Sequence, residues 1–412
     1  MSVQSYIKDN QDALCSLLQE LVKIPTVNPP GENYAEIVAL LEAQCKTLGM
    51  KTRIVKVPKQ RADQVISNAS SHPRLNLIAR WDVGAEKTVH FNAHYDVVPV
   101  SGEWKFDDPF SGKIEGEWLY GRGSDDMKDA IAALLFAIQA VQESDVEPLF
   151  NIECSFTCDE ETGGQLGAGY IVEKELVNAD YVVNCEGGSE MNIGNGHNGV
   201  LWLEIEVQGK AAHGSQPDKG INAFEKTTEL VSALQRVKRD LKLPDRAFKL
   251  PDGGERFPTM NIGGTFRGTE GDKVNTVPAK LTFSIDRRVI PNEKLEFAEL
   301  ELREAITGAC EYYPDLKVDV RAILRIEPCS TDTDSTLAQG FADAVRTVRY
   351  NQPKFKSTAG FTDLHYFVNK GLPGIGYGPK GEGGHAINER VFIPDLIKTS
   401  AIYATFMTRA EL

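Results

Sequence analysis

No apolar run in this 412-residue chain approaches the ~18 residues that span a bilayer, so no transmembrane segment is expected. The opening stretch MSVQSYIKDNQDALC has no basic region followed by an apolar one, and no secretory signal is expected. Cysteine is sparse and unpatterned: seven residues, at 15, 45, 154, 158, 185, 310 and 329, with no C-x-x-C. An odd number without that spacing indicates neither a disulfide framework nor a cysteine-ligated zinc site. Cys154 and Cys158 flank an apolar run and read as small buried hydrophobes. An excess of basic residues is also missing. Lys and Arg number 45 against 59 Asp and Glu, a net charge of −14. That balance argues against nucleic acid or an anionic membrane as partner. There are no internal repeats and no low-complexity tract. Together these absences point to the cytoplasm.

What is present is an ordinary globular composition, 41% hydrophobic and 25% charged. The length exceeds what one hydrophobic core usually supports, so two domains are expected. Helical spacing of apolar residues runs over 3–22, 34–48 and 127–142, with Gly49 as a C-cap. Strand-like runs lie at 52–57, 75–80, 88–93, 151–157 and 180–185. This alternation predicts an α/β fold, with a mixed, largely parallel sheet sandwiched by helices. Residues 58–73 read as a polar, mobile connection. Over 200–322 the order changes to strand (200–208), helix (222–240), strands (259–262, 280–288), helix (293–309) and strand (316–322). That β-α-β-β-α-β order is ferredoxin-like and fits an inserted α+β domain. Helix 334–349 and the run GLPGIGYG resume the first style. Residues 1–199 and 323–412 are thus expected to form one domain interrupted by 200–322.

Seven residues at strand ends form a pattern that reads as a two-metal hydrolytic site. They are His94 and Asp96 in NAHYDVVP, Asp126 in GRGSDDMKD, Glu160 and Glu161 in TCDEETGG, Glu186 in NCEGGS and His385 in GGHAINE. Imidazole and carboxylate ligands suit zinc and its borderline neighbours, and an extra carboxylate beside a ligand suits a base for water. His94 and Asp96 leave the strand on one face, so the carboxylate can fix the imidazole tautomer. His90 lies deeper in the strand and reads as a packed core histidine. Asp125 competes with Asp126 and has its own reading as an acid capping the following helix. Adjacent Glu160 and Glu161 point in different directions, so one can bind metal while the other faces the water to be activated.

The order of these clusters resembles that of the di-zinc amidohydrolases, which include acetylornithine deacetylase, succinyl-diaminopimelate desuccinylase, aminoacylase and glutamate carboxypeptidase. The resemblance rests on NAHYDVVP, the stretch Trp104 to Lys128, DEETGG, the acid at 186, GKAAHGSQP, Asn275–Pro278, DRRVIP and GGHAINE. It spans nearly the whole chain and implies a zinc-peptidase-like first domain. It implies one zinc on His94 and Glu186, a second on Glu161 and His385, and Asp126 bridging them. It further implies Asp96 as orienter of His94 and Glu160 as general base. The second domain would serve as a dimerisation or lid domain. His213 would stabilise the oxyanion across a homodimer, and Asn275 and Arg288 would hold the substrate's carboxylate.

Three positions depart from that pattern: Asp129 where a glycine is usual, Gly-Gly-Ser after Glu186, and His197-Asn198-Gly199 without a basic residue. The expectation is therefore a homodimeric hydrolase with two divalent ions, zinc first and cobalt or manganese as alternatives. A metal-bridging water would cleave a C–N bond of a small N-acyl amino acid or related carboxylate. A dipeptidase, an aminopeptidase or a specialised amine-releasing hydrolase is the alternative on the same scaffold. A two-metal phosphoesterase would need cationic loops that are not there. A non-catalytic metal-binding relative would lack a ligand or the base, and here all are present.

Overall fold

The computed structural model describes residues 1–66 and 71–412. The chain divides into two compact units. Residues 1–196, 330–358 and 362–412 form the first, and 197–329 with 359–361 form the second.

In the first unit a twisted sheet runs in the order Lys51–Lys56, Leu75–Trp81, Asn151–Thr157, Thr88–His94, Tyr181–Asn184, Gly374–Gly376, Asn192–His197. Thr88–His94 is parallel to both its neighbours, and Gly374–Gly376 continues parallel to Tyr181–Asn184. The two edge pairings at the Lys51 side are antiparallel. The expected mixed, largely parallel α/β sheet is thus what the chain forms. Every residue of Thr88–His94 and of Asn151–Thr157 is buried, as strands covered on both faces must be. The helix Lys128–Gln142 is apolar nearly all round, with thirteen of its fifteen residues buried. It packs against the helices Gln11–Val22 and Ile393–Arg409. No helix of the described residues is long and apolar enough to cross a membrane.

The second unit is a sheet in the order Thr259–Arg267, Lys280–Val289, Gly199–Gln208, Lys317–Ile326, antiparallel throughout. Leu201, Leu203, Ile205 and Val207 alternate onto one face and meet Leu230 and Leu234 of the helix Ala223–Asp240 and Leu302 and Ile306 of Leu295–Tyr312. Period-two burial on strands and period-3.6 burial on helices here meet in one core.

Two local expectations change. The helix over 3–22 is two, Val3–Asp9 and Gln11–Val22, divided at Asn10, where the backbone leaves helical geometry (φ −118°, ψ 22°). Both the N–H and the side-chain amide of Asn10 donate to the Tyr6 carbonyl as a cap on the first helix. In the polar stretch 58–73 a helix forms over Lys59–Val65, entered through Pro58, whose missing N–H costs a helix start nothing. Residues 67–70 of that stretch lie outside the described residues.

Candidate functional site

Parallel strands all end at the same edge of a sheet, so the residues just past those ends are brought together. Register places His94 opposite Thr157, Asn92 opposite Asn184, and Asn184 opposite Gly376. His94 closes its strand. Glu160 and Glu161 come after Thr157 in the short 3₁₀ turn Glu160–Thr162, and Glu186 lies two residues past Asn184. His385 lies in the loop beyond Gly376, in a left-handed backbone conformation at φ 63°. Asp126 arrives from the other direction, immediately before the helix Lys128–Gln142, and its peptide bond to Met127 is cis.

The side chains converge. Asp126 offers Oδ1 to His94 Nε2 at 3.1 Å and Oδ2 to His385 Nε2 at 3.1 Å. Glu161 Oε2 lies 2.9 Å from His385 Nε2, and Glu160 Oε2 lies 3.8 Å from His94 Nε2. Two donor groups result, His94–Asp126–Glu186 and Asp126–Glu161–His385, each with its ligand atoms within 4.8 Å of one another and each able to hold a metal ion. Asp126 belongs to both.

Asp96 does more than face His94. The imidazole's Nδ1 is nearer the Asp96 main-chain oxygen, at 3.1 Å, than the Asp96 carboxylate, at 3.5 Å. That carboxylate instead accepts from the N–H groups of Glu160 (3.2 Å) and Glu161 (3.3 Å) and from Asn28 Nδ2 (2.8 Å). It therefore pins the turn that carries both glutamates. Behind the turn, Asp159 sits at φ 63° and accepts from Tyr34 Oη and Arg74 Nε, each at 2.7 Å.

The electrostatics fit a divalent cation set. The carboxylates of buried Glu160 and Asp363 and half-buried Glu161 and Glu186 gather near the two imidazoles. Burial, and for Glu160 the neighbouring Glu186, holds the Glu160 carboxyl well above its usual range. Burial raises Glu161 to about 7, against the opposing bond from His385, and Glu186 to about 8, against His94. Burial opposes charge on His94, yet hydrogen bonds to Asp126 and Asp96 and the nearby carboxylates keep its pKa well above the ordinary value. Hydrogen bonds to Asp126 and Glu161 raise His385 to about 10. Glu161 Oε1 is buried without a hydrogen-bond partner. Buried acids short of positive charge, with an unused ligand oxygen among them, are a donor set that divalent cations would stabilise.

Among the neighbouring residues, Asp363 was not singled out from sequence, whereas Asp125 and His90 were. Asp363, only 2% exposed, joins the acidic cluster and accepts from Thr157 Oγ1 at 3.3 Å. Its only signal was an acid after the glycine of STAGFTD. Asp125 is no helix cap: its Oδ2 accepts from Gly384 N–H at 3.2 Å. Lys128 is fully buried and donates to the carbonyls of Leu21 (3.1 Å) and Ile24 (2.6 Å). His90 is a core histidine, with Nδ1 2.9 Å from Glu153 and Nε2 2.7 Å from Ser155 Oγ. A cavity of about 420 Å³ adjoins the cluster, lined among others by Asp126, Glu186, Asn192 and Lys356.

His213, Asn275 and Arg288 belong to the second unit. His213 is exposed and lies opposite Thr276 in a two-strand ladder, where Gly214 N–H donates to the Asn275 carbonyl at 2.7 Å. Its Nδ1 accepts from Ser215 N–H at 3.2 Å, which puts the ring proton of a neutral imidazole on Nε2. Arg288 is ion-paired with Asp286, Nε to Oδ1 at 2.9 Å.

Comparison with known proteins accords with this geometry. Residues 90–409 match the peptidase family M20/M25/M40. A succinyl-diaminopimelate desuccinylase from Beijerinckia indica is 26% identical over 404 residues, covering 95% of this chain and 97% of that protein. An acetylornithine deacetylase from Aliivibrio salmonicida is 29% identical over 345 residues, covering 81% of this chain and 84% of that protein. An M20 family metallo-carboxypeptidase from Sulfolobus solfataricus shares the fold, with a TM-score of 0.75 at 23% identity, over 95% of this chain and 97% of that one. The family match takes in well over half of the chain, which belongs to peptidase family M20/M25/M40 and is a metal-dependent hydrolase of amide bonds.

Proposed function

We propose that this chain is a two-metal amidohydrolase that cleaves a small N-acyl amino acid or related carboxylate. The observation that carries the reading is one carboxylate, Asp126, shared by two histidine-containing donor groups. His94, Asp126 and Glu186 would hold one ion, and Asp126, Glu161 and His385 the other. Zinc is the proposed metal, with cobalt or manganese able to occupy the same donors. Bound ions of this kind supply Lewis acidity, polarising a carbonyl and making water acidic enough to lose its proton near neutrality.

The chain's own residues then have distinct tasks. Asp96 holds the Glu160–Glu161 turn and orients His94. Glu160 lies beside both groups without being part of either. It is a carboxylate of high proton affinity, suited to take a proton from water and return it to the departing nitrogen. The cavity of about 420 Å³ suits an amino-acid-sized substrate, and Lys356 in its lining favours an anionic one. His213 is proposed as oxyanion donor from a homodimer partner, and Asn275 and Arg288 as holders of the substrate carboxylate. All seven cysteines are free and six are buried, which supports a reducing, cytoplasmic setting.

The test is metal removal and reconstitution with zinc, cobalt or manganese, then a panel of acetyl-, succinyl- and glutamyl-amino acids beside dipeptides. Glu160→Gln should keep its metal content and lose about 10²- to 10⁴-fold in kcat. Full turnover in that variant would falsify the role of Glu160. Exclusive turnover of dipeptides would move the substrate class to a peptidase.

A further inference from the structure

Glu389 is fully buried, and its carboxylate does not belong to either donor group. Its Oε1 accepts from the backbone N–H groups of Gly123 (2.9 Å), Asp125 (2.9 Å) and Asp126 (3.1 Å). Its Oε2 accepts from Arg122 Nη1. One oxygen thus organises the loop that presents Asp126, while a guanidinium holds the other.

The backbone around Glu389 is equally fixed. The Glu389 carbonyl accepts from Gly121 N–H at 2.9 Å, and the next residues, Arg390–Phe392, pair with Trp118–Tyr120. Glu389 also closes the loop that carries His385. A second bond runs the other way, from Gly384 N–H to Asp125 Oδ2 at 3.2 Å. The two loops fit so closely at this point that a Cβ on Gly381 would lie 2.1 Å from Asp125 Oδ1.

We infer that Glu389 is a positioning residue for the metal centre: its carboxylate sets Asp126 and His385 at one spacing by locking their two loops together. The inference rests on the two-metal reading and adds a residue to it. Deleting a ligand removes a metal bond, whereas disturbing Glu389 leaves every ligand present and spoils only their spacing. Partners behind metal ligands cost about 10- to 100-fold in metal affinity when replaced. Because Asp126 serves both groups, both should weaken. The group that includes His385 should weaken more, since Glu389 ties both of its loops.

The experiment is a zinc titration against a competing chromophoric chelator, with zinc content measured on the folded protein. The unsubstituted chain is compared with Glu389→Gln and Glu389→Asp. The first keeps the shape and removes the charge, and the second keeps the charge and retracts it by one methylene. Glu153→Gln is the control, since Glu153 is also a buried carboxylate, bonded to His90 and to Asn178 N–H in the sheet. Glu153→Gln should lower thermal stability and leave zinc affinity unchanged. The Glu389 variants should bind zinc about 10- to 100-fold more weakly. Unaltered affinity in a folded Glu389 variant, or an equal loss in Glu153→Gln, overturns this inference and leaves the two-metal reading standing. An unsubstituted chain that binds no zinc overturns both.

Discussion

The two units gather their candidate residues in opposite ways. In the first, parallel strands end at one sheet edge, so residues scattered from buried His94 to exposed His385 meet there, rich in acids and short of positive charge. In the second, an antiparallel sheet sends its connections to both ends. Its candidates sit on an exposed two-strand ladder or on a strand already paired, with Arg288 against Asp286. Burial without charge compensation marks a place built for a cation. Exposure with local compensation marks a place that meets a ligand only in passing. If that contrast is functional, damage to the donor groups of the first set should weaken metal binding, and damage to the second set should alter turnover alone.

The largest effect is expected at Asp126. Asp126→Asn weakens a ligand common to both groups, so zinc content should fall towards zero and turnover to background. Glu161→Gln touches one group and should leave one zinc bound, measured by elemental analysis after dialysis at fixed free zinc. Two zinc ions retained in Asp126→Asn would break the comparison at its strongest point.

His213 comes next. Removing one preorganised oxyanion donor costs about 10²- to 10³-fold in kcat. His213→Ala should show that loss with zinc content unaltered. A parallel loss of zinc would put His213 among the ligands and dissolve the contrast between the units.

A smaller effect distinguishes the units by pH. Glu161, Glu186 and Asp363 titrate near 7, 8 and 7 in the folded chain, raised chiefly by burial, against ordinary values of 4.5, 4.5 and 3.8. Between about pH 4.5 and 7 the folded state therefore holds more protons than the unfolded one, and stability falls as pH rises. Asp126 has its pKa depressed, so its contribution is lost only on going below the usual carboxylate range. Above about 7 the buried Lys128, pushed down to about 7, begins to oppose the trend set by His385. Melting temperature in the presence of a chelator should thus decline from pH ~5 to ~7, and zinc should abolish the decline. A flat or rising curve without metal would contradict the picture of uncompensated acids.

Much of this was legible from the chain alone, because strand ends announce themselves. Apolar runs closing on His94, Glu186 and the Glu160–Glu161 pair could be read directly as strands, and the resemblance implied the roles of the residues at their ends. The supporting residues left no such trace. Asp363 and Glu389 are single acids in polar loops, and their importance comes from what register and loop closure bring opposite them. The break at Asn10 went unseen for a related reason: a helical pattern does not report a side chain that caps a carbonyl four residues back. Asp96 was assigned to His94 by spacing, while its closer work is on backbone N–H groups 64 and 65 residues away. Long-range pairing of side chain with main chain has no sequence period.

The smallest and most discriminating effect concerns Arg288. Its guanidinium faces Asp286 through Nε at 2.9 Å and Nη2 at 3.1 Å, so a substrate carboxylate must share it. Arg288→Ala should raise KM about tenfold, roughly 1.4 kcal/mol, with kcat and zinc content unaltered. Arg288→Lys keeps the charge but loses the planar fork and should fall between. Asp286→Asn frees the fork and should lower KM, the opposite sign from the same pair. Opposite signs at neighbouring positions are hard to produce by loss of folding, which degrades both. If KM is unmoved in all three variants, the substrate's carboxylate is held elsewhere, and Lys356 of the first unit becomes the cation to replace.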